Sequence, residues 1–408
     1  MASSLNAATS GGGGVIVTSD ASGDLNIQSG GSTVVAVTSA GVAVTGTLSS
    51  SGASTLTGAI TATAGINTPN TFGFKNRIIN GGMVVSQYNG TTAVTPTGAS
   101  QSTIDRFIGV NTQSAKLTYQ QVADAPAGFV NSFKILVASA ATPSSSDQFR
   151  FGQSIEGFNT ADFGWGTANA QAVTVSFRAK VSVAGTYSVA IWNGANGRSY
   201  VTTVSLTTSW ATYSVTFPGD TTGTWGTGDT VGIELIFDTG AGSNWVAPAN
   251  NAWQAGNYFK ASGSVSLVSN ASATLNITGV QLEKGSTATS FDYRPYGTEL
   301  QLAQRYYWNA AKGTNLSING YCFSATQYNA PITFPVQMRA SPSLNIVTGS
   351  GFYTLDSSGA NAITVGTIFR PTVYGALVFF TVASGLSGFA GGLNMDNAAC
   401  NIAFSAEL

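Results

Sequence analysis

Histidine is missing from all 408 residues, which removes the commonest general base and the commonest zinc ligand and excludes Ser-His-Asp and Cys-His mechanisms. Charge is scarce as well. Asp, Glu, Lys and Arg make up 8% of the chain, about a third of the roughly 25% usual in globular domains. A formal net charge of -1 leaves no basic field for nucleic acid or anionic lipid, so neither nucleic-acid binding nor membrane insertion is expected. The two cysteines, Cys322 and Cys400, lack metal-ligand spacing; they read as buried free thiols, with a disulfide between them as the alternative. The opening MASSLNAATS lacks the basic and apolar stretches of a secretory signal, so the protein is expected to stay in the cytoplasm where it is made. Residues 373 to 393 carry no charge, yet their Gly, Ser and Thr content predicts a buried β-segment instead of a membrane helix. GGGG at 11 to 14 runs into the strand-like VIV with no following Lys-Ser or Lys-Thr, so it is no phosphate loop.

What is abundant is glycine, 49 residues of it, together with serine and threonine. A surface wetted by hydroxyls and amides suits β-rich, extended, oligomeric proteins, in which neighbouring chains cover apolar faces that one chain would expose. Residues 1 to about 70 hold only two charges, Asp20 and Asp24, and short alternations: Leu25 and Ile27, Val35 and Val37, Val42 and Val44. VTGTLSSSGAS and LTGAITATAGI restate one theme. Strands with one or two small apolar side chains cannot enclose a core alone. The reading is a thin β-shaft wound from three copies, a homotrimer, with a low-complexity linker as the alternative.

From residue 76 to 297 the pattern is all-β, with turn signals spaced as in a sandwich. Strands are expected at 173 to 183, 185 to 193, 199 to 206, 209 to 219 and 230 to 238, and over Ile277 to Leu282. In NRIINGGMVVSQYNG (76 to 90), Ile78, Ile79, Met83 and Val85 read as strand apolars around a Gly81-Gly82 kink. Thr298 to Tyr307 reads as a helix, with Leu300, Leu302 and Ala303 expected near a threefold axis, facing their copies. In FPVQMRASPSL (334 to 344), Pro335 and Pro342 are expected to bracket one strand at a sheet edge. The division is thus 1–75, 76–297, a linking helix at 298–308, and 309–408.

Several of these segments carry a resemblance. GVQLEKGSTATSFDYRPYGTELQLAQRYYW (279 to 308), NRIINGGMVVSQYNG and the Asp105-Arg106-Phe107 triplet resemble bacteriophage tail fibre proteins, many from phages of marine and cyanobacterial hosts. The SFRAK, GTYSVAIWN and TTSWATYSVTFPGD strands resemble jelly-roll carbohydrate-binding modules, and FPVQMRASPSL resembles distal domains of phage fibres. One departure stands out: the family often has Arg after the glutamine where this chain has Tyr88. The resemblance implies an all-β protein: a thin N-terminal β-shaft, a jelly-roll β-sandwich, a short helix and a C-terminal β-sandwich tip. It further implies a homotrimer in the virion tail, assembled in the host cytoplasm. The N-terminal segment would join other phage tail or virion proteins, and the outer modules would attach to a host cell-surface glycan or lipopolysaccharide. A head fibre, collar fibre or adaptor with a purely structural role is the main alternative, and a polysaccharide depolymerase a further one.

Sugar binding needs aromatic faces for pyranose CH groups and amides or carboxylates for hydroxyls. Trp225, Trp245 and Trp253 sit in polar, Gly-rich stretches, with Asn244, Asn251, Gln254 and Asn257 beside the last two. They read either as a loop-borne sugar platform or as packing that fixes loops to the sandwich. Trp165 carries the same ambiguity, while Trp192 and Trp210 read as core. Jelly-roll modules of this resemblance often hold a structural calcium, for which Asp105, Glu156 and Glu283 are candidates by position; pairing with arginine or capping of turns is the alternative. Otherwise no cofactor is expected. For a hydrolase, Glu234 and Asp238 are the tempting pair, but along one strand they stand about 13 Å apart at roughly 3.3 Å per residue, too far for either glycosidase geometry. Glu156 and Asp162 lie in a loop of no predictable form. No catalytic residue is assigned, and no enzymatic activity is expected.

Overall fold

A computed structural model describes residues 25–29, 32–38, 41–45, 74–96, 100–194, 197–347, 351–356, 363–382 and 387–408. The GGGG run, the repeat beyond Thr45 and the expected boundary at Pro69 lie outside the described residues. The chain divides into two units, Met1–Ile66 and Asn67–Leu408. In the first, β1 (Leu25–Ser29), β2 (Ser32–Thr38) and β3 (Gly41–Val44) form an antiparallel meander. Val35 pairs with Ile27 on one side and Val44 on the other, matching the expected alternation.

The second unit begins with a two-sheet β-sandwich of jelly-roll type. Its strands are β4 (Ser100–Ile104), β5 (Phe107–Asn111), β6 (Leu117–Val122), β7 (Ser132–Val137), β8 (Phe149–Glu156), β9 (Val173–Val181), β10 (Gly185–Trp192), β11 (Arg198–Leu206), β12 (Ala211–Phe217), β13 (Val231–Asp238), β14 (Trp253–Ala255) and β15 (Thr274–Lys284). One sheet runs β14-β11-β10-β13-β8-β5-β4 and the other β12-β9-β15-β7-β6. Alternation decides what each strand buries: Val189 and Ile191 of β10 point into the inter-sheet core, Ala190 and Trp192 away from it. At the centre, Phe151 stacks on Phe237 at 5.0 Å and meets Phe133 at 5.7 Å, and Phe177 meets Phe237 edge-on at 5.2 Å. Burying each such ring stabilises by about 1.5–3 kcal/mol.

Segment 76–90 is no strand, contrary to the pattern of its apolar residues. It is a series of turns whose side chains serve two cores: Ile78 and Met83 enter the sandwich, while Ile79 and Val85 pack with Ala303 and Tyr306. Asn80, at φ 62, holds this shape, since its side chain both donates to Val85 O and accepts from Val85 N, and donates to Asp105 O at 3.0 Å. Gly81 packs so closely on β15 that a Cβ there would meet the Val280 carbonyl.

Helix α1 spans Tyr296–Gln304 and follows Pro295 directly. It ends earlier than expected because Tyr307 already belongs to a strand. Ala303 is buried in its own chain, and Leu300 and Leu302 pack on the same Ile79 and Val85 cluster. Ala303 is thus covered by its own chain instead of by its copies, whereas Leu300 and Leu302 stay half-exposed beside the 76–90 segment.

The terminal module comprises β16 (Tyr307–Lys312), β17 (Leu316–Ser324), β18 (Gln327–Thr333), β19 (Ser343–Val347), β20 (Tyr353–Leu355), β21 (Ile363–Phe369), β22 (Gly375–Val382), β23 (Ala390–Met395) and β24 (Asn401–Ser405). A three-stranded sheet, β16-β24-β19, and a six-stranded sheet, β20-β23-β17-β18-β22-β21, enclose a second core. Cys322 and Cys400 are buried in it and are not joined by a disulfide. The uncharged 373–393 stretch contributes β22 and the start of β23. No strand lies between Pro335 and Pro342. That stretch is a loop pinned by Met338 in the core and by Arg339, whose Nε and Nη2 donate to Ala406 O and Glu407 O at 2.7 and 2.8 Å. The edge strand β19 begins only after Pro342.

Candidate functional site

The tryptophans of the expected sugar platform pack against one another and against the sandwich. Trp225 and Trp253 meet Trp165 edge-on at 4.7 and 5.2 Å and each other at 5.4 Å. Each indole N–H is satisfied within the chain: Trp165 donates to Gln171 O, Trp225 to Thr222 O and Trp253 to Pro218 O. The depression beside Trp165 and Trp225 encloses about 10 Å³, barely enough for one water. Trp245 lies in a different cluster, tilted on Phe259 at 5.2 Å with its N–H on Ser146 O. It belongs to the 241–261 segment, whose Ala247, Phe259 and Ala261 cover the outward residues Ala190, Trp192, Val201 and Ile236 of the seven-stranded sheet. Of the amides, Gln254 Nε2 donates to Ala249 O, Asn251 Oδ1 accepts from Thr202 Oγ1, and the Asn244 backbone N–H donates to Ser145 O. The structure thus divides the three tryptophans between two packed clusters, while Asn244 and Asn251 stay exposed. Trp192 is buried as expected; Trp210 is not core, but lies outside β12, half-buried beneath the Lys180 ammonium at 5.3 Å.

Beneath the 241–261 segment, Arg150 pairs with Glu234 and lies 4.7 Å over the Trp192 ring, whose N–H donates to Glu234 at 2.5 Å. Asp238, on the same face, accepts the Gly240 and Ala241 N–H groups through Oδ1, and burial raises its pKa to about 6. The three calcium candidates stand with separate partners. Asp105 accepts from Gln87 N and Nε2 at 2.5 and 2.6 Å, Glu156 binds Arg305 through both oxygens at 3.0 Å, and Glu283 accepts from Thr289 and Gln281. Among the described residues, no group of three Asp, Glu, Cys or His could hold a metal ion.

The segments with distinctive sequence meet at the joint between sandwich and terminal module. Arg106 is buried there; it pairs with Glu407, donates to Ser154 O at 2.6 Å and lies 3.5 Å over the Tyr306 ring. Gln87 donates to Tyr307 O, and the Tyr88 ring stacks on Tyr307 with centroids 3.5 Å apart. Burial pushes the Tyr307 phenol up to about 12, and burial lifts Asp105 to about 6.

This joint borders an open groove of about 790 Å³. Its floor is the outward face of β16-β24-β19, where strand register sets three rows: Tyr307, Ser405, Ser343; Asn309, Ala403, Asn345; and Lys312, Asn401, Val347. Tyr88 and Asn89 form one wall. Ser343, Asn345 and Val347 are exposed, while Leu344 and Ile346 between them point to the core. An aromatic wall, amides and hydroxyls line a concavity that stretches roughly 13 Å along β19. Sequence reading missed it, since no single stretch contains it. The one available signal was Tyr88 itself, standing where the resembled family often has arginine.

No family profile matches this chain. Nor does any curated protein. Among solved structures, the enzymatically active domain of Bacteriophage CBA120 tailspike protein 4 aligns at 12% identity and TM-score 0.27, over 52% of this chain and 21% of that one. A putative sugar binding protein from Bacteroides thetaiotaomicron aligns at 15% identity and TM-score 0.29, over 51% and 99%. The family 11 carbohydrate-binding module from Clostridium thermocellum aligns at 14% and 0.25, over 47% and 96%. The chain spans about a fifth of the tailspike domain, and at these scores the likenesses say nothing of ligand or activity.

Proposed function

We propose that this chain is a bacteriophage fibre subunit that attaches its particle to a host cell-surface glycan, lipopolysaccharide included, by non-covalent binding in the groove beside Tyr88. The observation that carries the binding is that groove: open, about 790 Å³, walled by an aromatic ring and floored by serine and asparagine side chains, the mixture that sugar rings and hydroxyls require. Its function needs no catalytic group and no cofactor. The fibre assignment rests on the resemblance of residues 76–90 and 279–308, and the chemistry of the meander supports it. Ile27 and Val42 are 52% and 65% exposed, and three copies braided together would cover such side chains. A homotrimer also multiplies weak sites into useful avidity. The N-terminal segment joins other tail or virion proteins, and the subunit ends in the virion tail after assembly in the host cytoplasm.

Light scattering on the purified protein should give three times 41.6 kDa, and host lipopolysaccharide or capsular saccharide should bind it saturably. A monomer that retains no host saccharide would end this reading. A fibre with a purely structural role is favoured by the tryptophans, whose N–H groups serve their own chain; a trimer that binds no host cells would support it.

A further inference from the structure

Lys312 gives the groove a charge preference. It lies in the row Lys312, Asn401, Val347 at one end of the floor. Its ammonium donates to Tyr88 O at 2.8 Å and, at the long end, to Gln87 O at 3.5 Å, both neutral carbonyls, which leaves at least one of its three protons for a ligand. Among the described residues no carboxylate pairs with it, and none lines the groove. Two carboxylates at the joint already have partners, Asp105 in Gln87, and Glu407 in the Arg106 guanidinium and the Tyr88 hydroxyl, which donates to it at 3.3 Å. This is notable in a chain with only 16 Lys and Arg, eight of which form ion pairs with Asp or Glu among the described residues. An uncompensated cation in a concavity focuses field into it. Asn345, exposed in the next row, offers an amide to a neutral hydroxyl of the same ligand.

We propose that the groove selects an anionic saccharide, whose carboxylate or phosphate sits against the Lys312 ammonium while its ring lies along the Ser343 to Val347 edge beside Tyr88. The proposal rests on the glycan-binding reading of this site. An ammonium is a compact point charge without the fork geometry of a guanidinium, so uronic acids and sugar phosphates both satisfy it.

Calorimetry on the full chain tests this with four probes: oligogalacturonate, phosphorylated manno-oligosaccharide, neutral galacto-oligosaccharide and polyglutamate. At least one acidic saccharide should bind tenfold or more tighter than the neutral one, and lose most of that advantage between low and high salt. Lys312→Gln should abolish the preference, bringing the acidic and neutral saccharides to equal affinity. Asn345→Asp, which adds a negative charge without touching Lys312, should weaken the acidic ligand by a larger factor than the neutral one and keeps the test open if Lys312→Gln disturbs Tyr88. Equal binding of acidic and neutral saccharides, unchanged by either variant, overturns the charge preference and leaves glycan binding intact. Polyglutamate binding as tightly as the acidic sugars overturns it too, because charge alone then suffices. If no saccharide binds, the glycan reading falls and this proposal with it.

Discussion

The seven-stranded sheet of the sandwich and the three-stranded sheet of the terminal module both turn a face away from their cores, and they treat it in opposite ways. The first face carries Ala190, Trp192, Val201 and Ile236, and the chain closes it with its own 241–261 segment, Trp245 and Phe259 included. The second carries serine, asparagine and lysine, and stays open beside Tyr88. Apolar outward residues demand a cover, whereas hydroxyls and amides are content with water or a ligand. Richness in tryptophan therefore marks the packed side of this protein, and the plainer polar sheet marks the available one.

The largest effect should come from the joint that holds Tyr88 beside the open face. Arg106→Ala removes a buried guanidinium from Glu407, Ser154 and Tyr306 and should cost roughly 3–5 kcal/mol. Denaturant unfolding should show it, and saccharide affinity should fall as well, because the groove loses its wall. If affinity stays unchanged, the wall is independent of the joint.

Trp165→Ala should cost about 3 kcal/mol, at the lower end for a truncated core tryptophan, since it strips the partner of Trp225 and Trp253. Saccharide affinity of the folded protein should not move. A loss of binding without a loss of stability would reverse the comparison between the faces.

Asp238 lies under the covered face, and burial raises its pKa from the ordinary 3.8 to about 6. The folded state therefore holds its proton more tightly than the unfolded chain. The resulting stability is fully present below about pH 4 and is lost as pH rises through about 6. Asp105, also raised to about 6, acts in the same direction. Asp238→Asn should reduce the decline in stability between pH 4 and 6, leaving the share of Asp105, and should stabilise on the order of 2 kcal/mol at pH 7. Denaturation midpoints across this range check it, and an unchanged slope would mean that Asp238 is solvated.

The smallest effect on stability belongs to Asn345→Ala on the open face, within about 0.5 kcal/mol. Saccharide affinity should nonetheless fall about tenfold, or 1.4 kcal/mol. Thermal melts and titrations together separate the two.

Much of the architecture was legible, and unevenly so. The strands from Val173 to Asp238 were readable because β9 alternates apolar and polar residues over its whole length and β10 and β13 keep apolar residues at every second position, even where Ala190, Trp192 and Ile236 make the other face apolar too. Segment 76–90 has comparable apolar spacing, but its side chains divide between two cores, so a turn-rich path around Asn80 replaced the expected strand. Trp225 and Trp253 were recognisable as a pair of interest; that Trp165 would complete the cluster and that Trp245 would belong to another face depends on which strands become neighbours.

Period-two alternation, glycine-rich turns and the lack of histidine are properties of neighbouring residues, or of composition, and they alone determined an all-β chain without imidazole chemistry. The groove has no such local origin. Tyr88, Lys312, Asn345 and Ser405 come together only when β19 and β16 flank β24 and the 86–90 turn docks against Tyr307. Which outward face is covered, and which stays open, was decided there, because burial depends on what approaches a side chain in space and not on what adjoins it along the chain.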